Sequence, residues 1–356
     1  MKESVQKRSL NATLQKYAKR YFIDAMGAMA NGLFASLLMG TIIKTLGELL
    51  QKVMLGTKLC FMADALVQIG GFAAAVSGSA MALAIGYALK AHPLVLFSLA
   101  AVGYATNALG GAGGPLAVLI VAIVASEIGM LVSKKTKVDV IVTPFVTIVT
   151  GCALALLIAE PIGKGAAALG SVIRWATLQQ PLIMGIVISV VMGMILTLPI
   201  SSAALCISIG IGGLAAGAAT AGCCAQMIGF AVISYKDNGL GGLISQGLGT
   251  SMLQVGNIAR KPIIWLAPTL TSAILGPVST MWLKMTNNAA GAGMGTAGLV
   301  GPLGCWDTMA ATTDHGILLA EIIGLYFIAP ALLSLCFHFI MKRLGWVKDG
   351  DMKLHG

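Results

Sequence analysis

The sequence predicts an all-α polytopic membrane protein with about eight to ten transmembrane helices and re-entrant hairpins. Hydrophobic residues make up 57% of the 356 positions and charged residues only 10%, whereas a soluble domain carries about 25% charged residues. Apolar stretches long enough to cross a bilayer recur along the chain. Glycine supplies 45 positions, and small residues let helices approach closely in lipid. Together these observations exclude an ordinary water-soluble domain.

Several apolar stretches are candidates for complete crossings, because a crossing of the hydrocarbon core takes about 20 apolar residues. They are residues 22–43, 59–89, 93–109, 115–132, 138–158, 181–200, 262–283 and 316–341. The stretches between them are broken by glycine and proline and account for the range of eight to ten crossings.

Lysine and arginine are concentrated at the two ends of the chain. Residues 1–20 hold six of the 23 basic residues and residues 342–356 hold four, which predicts that both termini face the cytoplasm. The loop with Lys134, Lys135 and Lys137 agrees with this orientation. The loop with Lys44, Lys52 and Lys58 disagrees, because it would face outward.

The composition gives no support for nucleic-acid binding, a metal or a cofactor. The net charge of +10 lies at the ends of apolar segments, where it suits orientation and contact with anionic lipid. The seven cysteines form no C-x-x-C pair, and the four histidines form no metal-binding cluster. No nucleophile lies in a recognisable catalytic arrangement, so we assign no catalytic residue.

Three stretches are too irregular for plain crossings. They are residues 106–115 (TNALGGAGGP), residues 199–235 and residues 286–304 (TNNAAGAGMGTAGLVGPLG). Irregular backbone at membrane depth is tolerated only where protein or a water-filled cavity satisfies it, so these stretches mark the expected permeation region. The first and third share an asparagine followed by a glycine-rich turn and a proline, which could be the trace of an internal repeat.

The candidate substrate-binding residues are polar side chains near these stretches. Amides are uncharged donors and acceptors, and an ionisable group inside a membrane is a functional candidate by default. The substrate-binding candidates are Asn107, Glu160, Gln254, Asn257, Asn287, Asn288, Asp307 and His315, and the hairpin or gating candidates are Ser201, Ser202, Gly291, Gly293 and Gly295. Helix packing remains the alternative role for the amides, and an ordinary loop remains the alternative for Asp307 and His315.

Two regions carry a family resemblance. Residues 134–151 (KKTKVDVIVTPFVTIVTG) and the AEPIGKG turn at Glu160 resemble the enzyme IIC components of the bacterial sugar phosphotransferase system. Residues 257–277 (NIARKPIIWLAPTLTSAILGP) and 287–302 (NNAAGAGMGTAGLVGP) are similar to a shorter, free-standing IIC-like branch, some of whose members are labelled toxin regulators.

The resemblance implies a domain plan and a location. It implies a homodimer in the bacterial cytoplasmic (inner) membrane, with a scaffold half and a transport half around one sugar. The expected segments are a cytoplasmic amphipathic arm (1–20), a scaffold and dimerisation half (21–158), a surface connecting helix (159–180), a transport half with re-entrant hairpins (181–341) and a cytoplasmic tail (342–356).

The resemblance also implies a function. A IIC component translocates a sugar or polyol, and a separate IIB protein, itself phosphorylated by IIA, transfers phosphate to it. Many IIC proteins have a Glu-Pro motif shortly before the segment that matches Lys261 and Pro262, whereas this chain reads QGLGTSMLQVGN there, without an acid. Glu160 or the amides would then replace that carboxylate.

Two other functions remain open from the sequence. One is a membrane regulator that keeps the transporter fold and senses a solute without moving it. The other is a proton-coupled secondary transporter of a non-sugar solute, in which a buried acid such as Glu127 or Glu160 would carry the proton.

Overall fold

A computed structural model of the chain describes Tyr17 and residues 19–53 and 60–354. Among these residues the regular structure is helical, with one isolated bridge between Gly213 and Asn287 and no strand. The predicted all-α membrane fold is therefore confirmed. The predicted arm at residues 1–20 lies outside the described residues, apart from Tyr17, Lys19 and Arg20.

The first bundle, residues 19–177, is built from helices α1 to α6. Their bounds are α1 (Lys19–Lys52), α2 (Cys60–Ala75), α3 (Ser77–Ala88), α4 (Pro93–Gly110), α5 (Gly114–Val132) and α6 (Asp139–Thr177). Helix α1 contains two π-helical segments, and α2 and α3 meet at an angle of 48°.

Helices α4 and α5 form an antiparallel hairpin. Gly111 between them has φ +51° and ψ −123°, a conformation that ends α4 and that glycine adopts without steric cost. A Cβ atom on Gly129 would lie 2.8 Å from the Val95 side chain. In one straight helix these two residues would be about 50 Å apart, so the chain reverses at Gly111.

Helix α6 connects the two bundles. It runs unbroken through Glu160 and Pro161, where the sequence predicts the end of a crossing and the start of a separate surface helix. Its first part packs on α4, where Gly151 contacts Val102, and its last part contacts the second bundle, where Gly170 contacts Ile209. Its 39 residues span about 58 Å, nearly twice the hydrocarbon thickness.

The second bundle, residues 181–354, holds the remaining helices and a docked C-terminal tail. The helices are α7 (Pro181–Thr197), α8 (Ser202–Ile209), α9 (Gly213–Ile233), α10 (Tyr235–Ile244), α11 (Val255–Arg260), α12 (Pro262–Trp282), α13 (Ala289–Ala292), α14 (Val300–Met309) and α15 (His315–Arg343).

Small residues bring α7, α9 and α12 into backbone contact. A Cβ atom on Gly222 of α9 would lie 1.9 Å from the carbonyl oxygen of Ser189 on α7. The Ser189 hydroxyl donates to the carbonyl oxygen of Ser272 on α12, at 2.7 Å. Close approach of this kind is the usual way to pack helices in lipid, where apolar burial alone does not drive association. These three helices form the rigid centre of the second bundle.

Six helical stretches of the described residues are long and apolar enough to cross a membrane, and the bent pair α2 and α3 would be a seventh. One of the six contains both α4 and α5, which reverse at Gly111. The chain is therefore a multi-pass membrane protein, while the predicted total of eight to ten crossings stays a prediction.

The two ends of the bundles can be named from their residues. The basal end carries Arg20, Glu127 and the tail, because Arg20 pairs with Glu127 at 2.7 Å and the tail residue Lys353 lies beside Ile23 and Gly256. The apical end is the opposite one, where α4 ends at Gly110. Both described chain ends thus lie at the basal end.

Candidate functional site

Three chain segments fold back inside the second bundle, and each has a tip. The first tip (residues 198–202) joins α7 to α8, and the second tip (residues 293–297) joins α13 to α14; both hairpins enter from the apical end. The third tip (residues 249–252) enters from the basal end, where Gln254 bonds back to Gln246 at 2.9 Å. The second tip lies inside the predicted irregular stretch 286–304, and the first tip lies at the start of the stretch 199–235, most of which forms α8 and α9. The stretch 106–115 forms the turn between α4 and α5.

The three tips meet the first bundle at a central cavity of about 230 Å³. Its polar lining residues are Ser77, Asn107, Ser201, Ser202 and Thr250. The rest of its lining is glycine, proline and aliphatic side chains, including Met252 and Met294, and none of the described lining residues is ionisable or aromatic. The cavity therefore offers hydroxyl and amide groups among apolar walls, the combination typical of small-molecule sites.

The first and second tips are in direct contact. The Ser202 hydroxyl donates to the carbonyl oxygen of Gly293 at 2.5 Å, and Ser201 caps α8 by accepting from the amide of Ala204 at 3.3 Å. The amide of Ser201 also donates to the carbonyl oxygen of Ala112 at 2.8 Å. Of the sequence-predicted gating residues, Ser201 and Ser202 thus line the cavity and Gly293 contacts Ser202. The first tip is bonded to both bundles.

Asn107 faces this cavity from the last turns of α4. Its Cβ atom packs against Gly78, and its backbone and side-chain oxygens pack against Gly114. Its side-chain amide makes no hydrogen bond with any residue that the structure describes. An amide has two donors and an acceptor. Asn107 is therefore a fixed polar group with free hydrogen-bonding capacity at the wall of the cavity.

Asn287 and Asn288 fix the second hairpin rather than line the central cavity. The Asn287 amide donates to the Thr220 hydroxyl at 2.8 Å and to the carbonyl oxygen of Gly301 at 2.9 Å. Asn288 caps α13, since its side-chain oxygen accepts from the amide of Gly291 at 2.8 Å. These bonds explain the asparagine–glycine pattern in the sequence.

Gly295 belongs to the same hairpin and has φ +54°, with the Cys223 backbone and side chain directly beside its Cα. A side chain there would be strained and would also collide with α9. Gly295 therefore allows the second tip to turn against the centre of the bundle.

Asp307 and Asn288 line a second, smaller cavity of about 170 Å³ at the end of α1. Lys52 donates to both carboxylate oxygens of Asp307, at 2.9 and 3.0 Å. This ion pair joins the first bundle to the second hairpin. His315 is further away and exposed, with its ring 5.3 Å from the Trp306 ring.

Gln254 and Asn257 bind the C-terminal tail. The Gln254 amide donates to the carbonyl oxygen of Met352 and the Asn257 amide to that of Lys353, both at 3.0 Å. The structure brings neither residue into the lining of the central cavity.

Glu160 lies on the exposed face of α6. Its carboxylate pairs with Lys164, one helical turn later, at 2.8 Å, and about two-thirds of its side chain is exposed (67%). The structure does not bring Glu160 to the lining of any described cavity. Glu127, the other acid considered for proton coupling, is paired with Arg20 and Tyr21.

Sequence reasoning missed most of the central cavity, including Thr250, Met252, Met294 and Ser77. A signal was present for the first two, because Gly247 and Gly249 flank this part of the chain and indicate a turn. Nothing in the sequence marks the methionines, since methionine is a common core residue in any apolar chain.

Comparison with protein families gives a match over nearly the whole chain. The family model described as "Phosphotransferase system, EIIC" matches residues 23–354. No curated protein matches the chain. The matched range includes both bundles, the three tips and the tail.

Proposed function

The chain belongs to the EIIC family of the phosphotransferase system, and we propose that it carries a sugar or polyol through the central cavity to a separate IIB protein for phosphorylation. The observation that carries the proposal is the free amide of Asn107 at an uncharged cavity between the bundles. Membership of the family supports a permease component of this system. The solute and the partner are our proposals.

The chemistry of the cavity suits a small, uncharged solute with several hydroxyl groups. Asn107 offers donors and an acceptor, and Ser201 and Thr250 offer hydroxyl groups at the facing tips. A charged solute would meet no opposite charge among the described lining residues, so its desolvation would cost several kcal/mol without compensation. A hydroxylated solute can replace its water contacts with these groups.

The position of the cavity suits alternating access. Its wall comes partly from the first bundle, through Asn107, and partly from the three tips of the second bundle. A shift of the second bundle against the first would break the wall on one side and expose the solute there. The first two tips close the cavity from the apical end and the third tip closes it from the basal end.

Phosphorylation needs a partner at the basal end. No acid lines the central cavity among the described residues, so we place the phosphate donor, and the group that accepts the hydroxyl proton, on the IIB protein. The basal end is then the cytoplasmic side, as the basic termini predict. We also propose that the chain acts as a homodimer in the bacterial inner membrane, with first-bundle helices at the dimer contact.

Uptake into proteoliposomes tests this proposal. The purified chain would be reconstituted and given a panel of radiolabelled hexoses, pentoses and hexitols, with and without a phosphorylated IIB protein inside the vesicles. We expect one solute class to accumulate as its phosphate ester only when the donor is present. A thermal-shift screen of the same panel would report binding separately.

Other outcomes identify the alternatives that the sequence left open. Binding without uptake, with or without the donor, would contradict transport and favour a solute-sensing regulator. Uptake that follows a proton gradient without any phosphate donor would contradict the phosphotransferase role and favour a secondary transporter. The pairing of Glu127 with Arg20 and of Glu160 with Lys164 weighs against those two acids as free proton carriers.

A further inference from the structure

The C-terminal tail, residues 344–354, is bound along the basal end of the second bundle. Asp237, on α10, accepts from the backbone amides of Gly350 and Met352, at 2.8 and 3.1 Å. The next residue, Asn238, accepts from the amide of Leu354 at 2.7 Å and donates to the carbonyl oxygen of Met352 at 2.9 Å. The side chains of these two adjacent residues thus bind the backbone of the tail through hydrogen bonds.

The tail is also bound to the segment that forms the third tip. Gln254 and Asn257 donate to tail carbonyl oxygens, at 3.0 Å each, and Lys261 pairs with Asp351 at 2.5 Å. The side chain of Met352 is buried, with 2% exposed, in the apolar cluster around Phe230. The tail is therefore an integral part of this end of the bundle.

Two sets of buried hydrogen bonds hold the third tip, one between the tail and the residues on either side of the tip, the other between the tip and α7. Gln254 donates both to the tail and to Gln246, which lies on the other side of the third tip. Gln246 in turn donates to the Ser234 hydroxyl at 2.8 Å. At the tip, the hydroxyl of Ser251 lies 2.8 Å from that of Thr197, at the end of α7. The position of the tail and the position of the third tip are therefore linked through buried polar groups.

Removing the tail would leave this network incomplete. Gln254 is fully buried and Asn257 nearly so, and a buried amide that loses its partner loses the compensation for its desolvation. The present position of the third tip is therefore less stable without the tail. We propose that the C-terminal tail is a latch that holds the third tip in place and so closes the basal side of the central cavity.

The latch goes beyond the proposed function, because it concerns when the cavity opens and not which solute enters it. Its release exposes Thr250 and Met252 to the basal side. A protein that bound the tail would open the cavity from that end. The latch can therefore be tested without any transport assay.

The test is the chemical accessibility of a cysteine at the third tip. Thr250→Cys would be made in the full-length chain after replacing the partly or fully exposed cysteines, Cys60, Cys152 and Cys336. Labelling by a charged maleimide would be followed over time in detergent. Hydrogen exchange of residues 344–354 would report, in the same samples, whether the tail is docked.

Asp351→Asn and Lys261→Met each remove the ion pair between the tail and the third-tip segment. We expect each to raise both the exchange of the tail amides and the labelling of residue 250, by roughly tenfold or more, because a hydrogen bond between charged groups is lost. The exchanged pair Lys261→Asp with Asp351→Lys should restore slow labelling. Asp349→Asn is the matched control, since Asp349 lies on the same tail but pairs with Lys342.

Two results would overturn the latch. One is a tail that exchanges freely while residue 250 labels at the wild-type rate, which would show that the tail does not hold the tip. The other is fast labelling in Asp349→Asn equal to that in Asp351→Asn. If the tail stays protected in the single variants, the double variant Asp237→Asn with Asp351→Asn weakens the two further bonds that Asp237 accepts. A freed tail with unchanged labelling of residue 250 in that variant would also overturn the latch.

Discussion

Ser202 and Gly293 join the two apical hairpins at the central cavity. The Ser202 hydroxyl donates to the Gly293 carbonyl oxygen at 2.5 Å, although the two residues lie 91 positions apart in the chain. The backbones are so close that a Cβ atom on Gly293 would lie 2.6 Å from the carbonyl group of Ser202. In the proposed transport cycle, opening of the cavity from the apical end requires this contact to change.

Gly293→Ala tests that contact. The new methyl group would collide with the backbone of the first tip, which cannot move aside as a flexible side chain would, so the tips are forced apart. We expect uptake to fall by about tenfold or more, because displacing the binding groups by a few tenths of an ångström to an ångström disturbs the geometry of the site. Gly71→Ala is the control, because nothing lies within 4 Å of the position of its Cβ atom. Normal uptake in Gly293→Ala would show that the tips need not touch.

Gly222→Ala tests the rigid centre of the second bundle. The added Cβ atom would lie 1.9 Å from the carbonyl oxygen of Ser189, so α7 and α9 must separate. Overpacking of this kind costs about 1–3 kcal/mol, and thermal unfolding in detergent would measure it. Gly165→Ala is the opposite case, since it lies on α6 with open space around it and gains about 0.5–1 kcal/mol of helix propensity. Equal stability of the two variants would contradict the close packing.

Asn107→Ala and Glu160→Gln separate two placements of the binding site. The Asn107 amide is free and faces the cavity, so its loss should weaken solute binding by about tenfold while thermal stability stays within about 0.5 kcal/mol of wild type. Glu160 is exposed and paired with Lys164, so we expect Glu160→Gln to leave binding and uptake unchanged. If instead Asn107→Ala binds and transports the solute normally while Glu160→Gln does not, the binding site would include Glu160 on α6, as the sequence predicts. Thermal-shift binding and uptake would both be recorded.

The first and second tips could be predicted from the sequence because their cause is local. Glycine and proline break helices wherever they cluster, so residues such as Gly293 and Gly295 marked the second tip before any contact was known. The contact between Glu160 and Lys164 could also be predicted, since residues four apart on a helix are neighbours. A solute-binding role for Glu160 stays a prediction, and its pairing with Lys164 weighs against it.

The role of the buried amides could not be predicted because their partners are distant in sequence. Gln254 bonds to Met352, 98 residues away, and Asn257 to Lys353. An amide in an apolar stretch looks the same whether it binds a solute or another part of the chain. Only the fold shows that these two bind the tail.

The docking of the tail should depend on pH through Asp351. Burial raises the pKa of this carboxyl, but the hydrogen bonds from Lys261 and from the amide of Lys348 outweigh burial and leave the pKa below its ordinary value. A lowered pKa means that the docked tail is stabilised above the ordinary pKa of the free carboxyl and loses this stabilisation as the pH falls through the lowered value. We therefore expect the tail amides to exchange faster below about pH 4.

Asp351→Asn should remove most of that dependence, because the amide does not titrate. Asp349 also has a lowered pKa, through its hydrogen bond from Lys342, so Asp349→Asn should leave a steep dependence in place. The measurement is hydrogen exchange of residues 344–354 between pH 3 and pH 7 after correction for intrinsic exchange. The same pH dependence of exchange in wild type and in Asp351→Asn would contradict the role of the ion pair.

The last prediction concerns the ion pair of Lys52 and Asp307, which joins α1 to the second hairpin. Both side chains are about half exposed, at 59% and 51%, so screening limits the pair to about 0–1 kcal/mol of stability. We expect the ion pair to affect the movement of the second hairpin more than it affects stability. When this hairpin shifts against the first bundle, the ion pair must either break or move with it. We expect Lys52→Met and Asp307→Asn to change the uptake rate in the same direction and by a similar factor, and the double variant to add nothing further.

Lys44→Met is the control, because Lys44 pairs with Glu48 within α1 alone. Additive effects of the two substitutions would show that the charges act separately and that α1 and the hairpin are not coupled through them.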